Sequence, residues 1–203
     1  MSLVIGLTGQ SGAGKTTVSK IFAENGFAVI DCDKVSRQVT EKGSACCREL
    51  AGVFPACFGK GFELDRAAIA KEVFSDRERL ELLNSIIYPY ITELIKERIS
   101  EFSKECQYIL LDAPTLFEAG ADSLCDDIAA VTADEGVRLG RITARDKIDR
   151  DMALKRFGSQ HSEGFFKEHC KYVIKNDGDQ RSAAEQTKRV IEMIKGSTNG
   201  KKQ

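Results

Sequence analysis

Gly9, Gly14, Lys15 and Thr16 stand in the order G-x-x-x-x-G-K-T inside the stretch "LTGQSGAGKTTVSKIF". Glycines reach backbone angles closed to other residues, so successive N–H groups can turn onto one phosphate chain. A helix opening near Lys15 adds the partial positive charge of its N-terminus. The Lys15 ammonium then suits the β- and γ-phosphates of a nucleoside triphosphate, and the Thr16 hydroxyl suits Mg²⁺. Ser11, Gly12, Ala13, Gly14, Lys15, Thr16 and Thr17 are therefore the candidate ATP-binding residues. The competing reading is a glycine-rich turn whose lysine faces water; the full motif, placed between an apolar run and a helical pattern, argues against it.

Three carboxylates come next. "VIDCDK" sets Asp31 and Asp33 at the end of an apolar run, where ligands of open parallel sheets are found. Strand alternation would put both on one side, able to accept a hydroxyl proton and hold a metal's water shell. Alternatively, one of them caps a helix starting near Lys34. The run "YILLDAP" closes on Asp112, the Walker B arrangement in which an acidic side chain binds or orients Mg²⁺. Thr16 and Asp112 are the candidate metal ligands.

Arg138, Arg141, Arg145, Arg150 and Arg156 crowd one stretch short of apolar residues. Phosphoryl transfer spreads negative charge over oxygens, and arginines on a closing lid can neutralise it while excluding water. Arg141 and Arg145, one helical turn apart, are the preferred pair, against the alternative of a solvated charged helix. The chain carries neither D-x-x-G nor N-K-x-D, so a GTP switch is disfavoured and a small-molecule phosphotransferase favoured.

Five short apolar runs must position these groups: Leu3 to Thr8, Phe27 to Asp31, Tyr108 to Asp112, Asp127 to Val131 and Tyr172 to Lys175. Such runs fit strands covered on both faces of a parallel sheet, with helical segments between them. Val18, Ile21 and Phe22 share a helical face, and Gly26 stands at a left-handed stop. More than seventy residues separate the second and third runs, too many for a loop. There, "SDRE" from Ser75 to Glu78 has capping-box spacing, and Leu80, Leu83, Ile86 and Ile87 follow on one side. Pro89 interrupts the pattern, which predicts a kinked or broken pair of helices.

The expected fold is an α/β three-layer architecture of the P-loop nucleoside triphosphate hydrolase type, with a five-stranded parallel sheet. Segments 1–34, 105–136 and 170–196 form its core, 35–104 a helical substrate lobe, 137–169 a lid with connecting helix, and 197–203 a disordered tail. The last helix carries Ala184, Thr187, Val190, Ile191 and Ile194 on one stripe.

The 203 residues suffice for one good-sized core, and 30 basic against 31 acidic side chains exclude any bulk charge suited to nucleic acid or an acidic membrane. No apolar stretch approaches bilayer length, and no basic leader precedes "LVIGLTG", so a cytoplasmic protein is expected. Seven cysteines, without a C-x-x-C pair, read as reduced thiols and mostly as small buried hydrophobes.

The segment "GLTGQSGAGKTTVSKIFAENGFAVIDCDKVSRQV" resembles the opening of dephospho-coenzyme A kinases, as do "LDAPTLFEAG", the Arg156 and Gln160 of "RFGSQ", and "VIKNDGD". The likeness runs to about Ile194. It implies ATP-dependent phosphorylation of the ribose 3′-hydroxyl of dephospho-coenzyme A, the last step of coenzyme A synthesis; ATP and Mg²⁺ are the expected cofactors, and a monomer is expected. It further implies Asp33 as general base, Lys15 as phosphate-binding lysine and Arg145 as a lid arginine. Asn176 would lie near adenine, and Asp31, Asp33, Pro114, Leu116, Phe117 and Glu118 would be substrate-side. The chain departs from the family's usual pattern at Gln10, Ser11 and Ala13, at Tyr88, in "APTLFE" and at Cys170-Lys171. Another P-loop small-molecule or nucleotide kinase and a non-catalytic nucleotide-binding regulator are the remaining readings.

Overall fold

β1 (Leu3–Gly9) is buried along all but its first residue, because it lies in the middle of a five-stranded sheet. The computed structural model describes residues 2–73, 76–178 and 180–199, with backbone only at Gln180, Thr198 and Asn199. Along the chain follow α1 (Lys15–Glu24), β2 (Ala28–Asp31), α2 (Cys32–Val39), α3 (Ala45–Val53), β3 (Phe58–Gly59), β4 (Glu63–Leu64), α4 (Arg66–Val73) and α5 (Arg77–Phe102). Then come β5 (Tyr108–Asp112), β6 (Asp127–Thr132), α6 (Glu135–Asp146), α7 (Arg150–Gly158), α8 (Glu163–His169), β7 (Tyr172–Lys175) and α9 (Gln180–Asn199). Single 3₁₀ turns occupy Pro55–Cys57 and Ala121–Leu124.

The chain divides into two compact units, one comprising Met1–Val29 and Phe102–Gln203, the other Ile30–Glu101. The sheet runs β2-β5-β1-β6-β7, with β1 parallel to both β5 and β6, and β6 parallel to β7. Side chains alternate across it and meet helices on both faces. Ala129 and Val131 of β6 join Ile5, Leu7, Val18, Phe22, Ile191 and Ile194 beneath α1 and α9. Ala130, between them, packs instead with Phe166 and Cys170 at α8. Two helical layers around a parallel sheet make the expected α/β three-layer fold. Gly26 takes φ +86° just after α1, the left-handed stop its type predicts.

The second unit buries Cys46, Leu50, Phe54, Cys57, Ile69 and Ile86. Ser44 caps α3 by accepting the Cys47 N–H at 3.1 Å, and Asp65 caps α4 through the Ala67 and Ala68 N–H groups. The expected capping role of Ser75 lies outside the described residues; Asp76 accepts the Arg79 N–H at 3.0 Å and caps α5.

Four expectations change. Of the kinked or broken pair expected at Pro89, the break is absent: α5 is one helix from Arg77 to Phe102 with Pro89 inside it. A proline removes one N–H, while Ile86 and Ile95 on either side of it are buried and hold the helix across the gap. Leu80, expected on the apolar stripe, is 41% exposed. The arginine-rich stretch is helical but not apart from the core, since Ile142 and Ala153 are fully buried. Residues 197–199 of the expected tail are the last of α9, and 200–203 lie outside the described residues.

Cys46, Cys47, Cys57 and Cys170 are buried, as their reading as small hydrophobes requires. Burial pushes the Cys170 thiol up to about 12, and the half-buried Cys125 likewise, where neighbouring Asp122 and Asp126 add to it. Among the described residues no helix is long and apolar enough to cross a membrane.

Candidate active site

The loop from β1 to α1 is built by backbone angles that only glycine takes without strain. Gly12 has φ +81° and Gly14, the N-cap of α1, has φ +95°. A side chain at Gly12 would also run into the Arg138 backbone, and one at Gly14 into the Asn176 amide.

Three side chains then hold the loop's carbonyls from outside. Arg138 Nε donates to the Ser11 oxygen at 3.0 Å, Arg141 Nη1 to the Gly12 oxygen at 3.2 Å, and Asn176 Nδ2 to the Ala13 oxygen at 2.7 Å. In a trans peptide the C=O and the following N–H point opposite ways. Fastening the Ser11 and Ala13 carbonyls outward therefore aims the Gly12 and Gly14 N–H groups inward. Among the described residues, no hydrogen bond engages the N–H groups of Gly12, Gly14, Lys15 or Thr16. Two inward donors, with the unengaged N–H groups of Lys15 and Thr16 at the helix N-terminus, make an anion cradle.

The Lys15 ammonium is ion-paired with the Asp112 carboxylate at the end of β5, both side chains mostly shielded from water. Thr16 and Thr17 are exposed on the first turn of α1. Thr16 and Asp112 offer hard oxygen donors, the kind Mg²⁺ takes. Among the described residues no group of three or more His, Cys, Asp or Glu side chains could hold a metal. Mg²⁺ needs no such group when phosphate and water oxygens complete its shell, so the donor set fits.

The two arginines singled out from spacing part company. Arg141 reaches the loop and also donates to the Asn176 backbone oxygen at 3.0 Å. Arg145 is 64% exposed in its side chain and grips Asp146 at 2.7 Å, with Arg156 on the other oxygen of that carboxylate at 2.6 Å. These two arginines hold the Asp146 carboxyl at about 2, below its ordinary 3.8.

Arg138, passed over in the preferred pair, is the buried one at 5% exposure. Its guanidinium lies 4.0 Å from the Phe157 ring, and burial draws its pKa down against the opposing pull of Glu135. Gln160 joins it by bonding Ser11. The i, i+3 spacing of Arg138 and Arg141 could have indicated one shared face toward the loop. Nothing in local sequence marks the reach of Gln160, 149 residues from Ser11.

Asp31 and Asp33 do not share a strand face. β2 ends at Asp31 and α2 begins at Cys32, so strand alternation does not extend to Asp33. Asp31 is the N-cap, its Oδ1 accepting the Lys34 N–H at 3.1 Å. Asp33 lies in the first turn of α2, exposed, with no hydrogen bond or ion pair among the described residues.

Of the residues expected on the substrate side, Leu116 is fully buried and lies where a side chain on Gly6 would run into it, so it belongs to the core. Phe117 is half-buried, edge-on to Phe165 with centroids 5.0 Å apart. Glu118 lies 3.5 Å from His161 Nε2. Pro114 is exposed, and its oxygen accepts the Thr8 hydroxyl at 3.2 Å.

A parallel sheet carrying a glycine-lined anion cradle, with a lysine and a strand-end carboxylate beside it, defines the P-loop nucleoside-triphosphate-binding class. Residues 3–182 match the family model described as dephospho-CoA kinase. A curated Fusobacterium nucleatum protein named dephospho-CoA kinase is 37% identical over 192 residues, covering 95% of this chain and 98% of its own. A solved structure from Thermus thermophilus superposes with a TM-score of 0.85 at 30% identity, covering 95% of this chain and 97% of that one. The solved dephospho-CoA kinase of Campylobacter jejuni gives 0.73 at 25% identity, covering 97% of this chain and all of its own. The chain belongs to the dephospho-CoA kinase family, a family of phosphotransferases.

Proposed function

We propose that the protein transfers the γ-phosphoryl group of ATP to the ribose 3′-hydroxyl of dephospho-coenzyme A, completing coenzyme A. The observation that carries this reading is the cradle of inward N–H groups beside Lys15 and Asp112, in a chain matched to the family over residues 3–182. Lys15 leaves Asp112 for the β- and γ-phosphates as nucleotide enters. Mg²⁺ bound by Thr16 and Asp112 would neutralise phosphate charge. Gly12 to Thr17 surround the phosphates, and Arg141 and Asn176 border the nucleotide.

Asp33 accepts the proton of the acceptor hydroxyl. Its support is local: Asp31 is spent on the helix cap, whereas the Asp33 carboxylate is exposed and uncommitted among the described residues. Arg145 exchanges Asp146 for the transferring phosphoryl group, whose charge it stabilises. Pro114, Phe117 and Glu118 contact the acceptor, and the helical segment 35–104 recognises its coenzyme A portion. We place the protein in the cytoplasm, on its odd set of thiols without a C-x-x-C pair, and read it as a monomer.

The test is ADP release from ATP and Mg²⁺ with and without dephospho-coenzyme A. Release that requires the acceptor, with coenzyme A formed in equal amount, is expected. Hydrolysis indifferent to the acceptor would overturn the reading and favour a nucleotide-binding regulator.

A further inference from the structure

We propose that Arg138 and Gln160 are positioning residues which set the phosphate loop at Ser11 and aim the Gly12 N–H at bound phosphate. Every polar atom of Ser11 is taken up by these two side chains. Its N–H donates to Gln160 Oε1 at 3.1 Å, its hydroxyl accepts Gln160 Nε2 at 2.6 Å, and its carbonyl accepts Arg138 Nε at 3.0 Å. Arg138 Nη2 donates to the same Gln160 oxygen at 3.2 Å and closes the network. The planar guanidinium is pinned by Phe157, and Gln10 Nε2 adds a bond to the His161 carbonyl at 3.4 Å.

Two consequences follow from this geometry. Ser11 gives its N–H to Gln160 rather than to a nucleotide, and its hydroxyl oxygen accepts from the same side chain; it is the handle by which the α6–α8 segment holds the loop. Because peptide planes are rigid, holding the Ser11 carbonyl toward Arg138 fixes the opposite direction for the Gly12 N–H. The cradle is thereby organised before phosphate arrives, and that organisation acts on nucleotide affinity rather than on the chemical step. Ordering of the residues from Arg138 to Gln160 and occupancy of the cradle must favour each other by linkage.

The inference rests on ATP being the ligand of the loop, and titration calorimetry with ATP keeps the two apart. A wild-type protein that binds no ATP removes the nucleotide reading itself. With wild-type binding intact, Gln160→Ala should weaken ATP about tenfold, the scale of losing hydrogen bonds to a buried peptide. kcat at saturating ATP should stay within about twofold, the signature of a binding effect. Arg138→Lys, which keeps the charge but loses the planar fork, should shift affinity in the same direction. Ser11→Ala, the mildest change, should weaken ATP about threefold alone and not at all in the Gln160→Ala background. Should Gln160→Ala lose its folded circular dichroism, Arg138→Lys and Ser11→Ala decide the matter. Unchanged ATP affinity in the folded variants, or additive effects of Ser11→Ala and Gln160→Ala, would overturn the proposal.

Discussion

Asn176 donates its amide hydrogen to the Ala13 carbonyl at 2.7 Å, so a side chain just past the last strand holds the first glycine loop from 163 residues away. Its other face accepts Arg141 at 3.5 Å, and only 6% of the residue is exposed. The bond is thus a buried fastening between the two ends of the nucleotide-binding unit.

Replacing this residue should be costly in two ways. Asn176→Ala strips the Ala13 carbonyl of its short donor, a loss of about 1–3 kcal/mol for a buried group left unpaired. The melting temperature should fall by about 2–4 °C per kcal/mol, and ATP affinity should fall with it as the Gly14 N–H loses its aim. Thermal unfolding and titration calorimetry on one preparation check both. An unchanged melting temperature would mean that the fastening contributes nothing.

Lys15→Ala is expected to lower kcat/KM for ATP about 10²-fold or more, the scale of removing one preorganised charge from a transferring phosphoryl group. It also leaves Asp112, 12% exposed in its side chain, without its cation. Steady-state kinetics at several ATP concentrations would detect the loss, and a normal rate would contradict the role given to the loop.

Asp31, which ends β2, and Asp33, in the first turn of α2, should separate cleanly. Asp31→Ala removes a helix cap and should cost about 1 kcal/mol of stability. Asp33→Asn should keep the melting temperature and ATP affinity while losing most turnover. If Asp33→Asn retained near-normal kcat, the proton would have to leave by another route.

Acid should weaken the α6–α7 junction. The Asp146 carboxyl is held at about 2 when folded, by Arg145 first and then Arg156, against 3.8 ordinarily. A carboxyl whose folded pKa is depressed binds its proton more readily unfolded. Its contribution is therefore complete above about pH 4 and lost as pH falls from 3.8 toward 2. The melting temperature of wild type should exceed that of Asp146→Asn at pH 6, and the gap should narrow across that interval. A gap constant from pH 6 to pH 2 would contradict the pairing.

Local chemistry made much of this protein legible in its sequence. The glycine spacing announced the cradle because φ +81° and φ +95° are backbone states that few other residues accept. The five apolar runs announced the sheet because strands covered on both faces carry few polar side chains. Lys15, Thr16 and Asp112 could be named because their elements and their spacing are local matters. What a single peptide segment does not encode is which distant side chain completes it. Asp33 looked like a strand-end partner of Asp31, but the chain turns into α2 at Cys32 and ends the alternation. Leu116 looked like part of a binding motif, but its side chain fills the space beside Gly6. Among the arginines, Arg145 and Arg138 have equal formal charge, and only packing against Phe157 and Ser11 makes one of them buried and the other a surface partner of Asp146. Residue type and spacing determined a phosphate-binding loop on a parallel sheet. Tertiary structure decided how that loop is held, because hydrogen bonds spanning more than a hundred residues depend on the path of the whole chain.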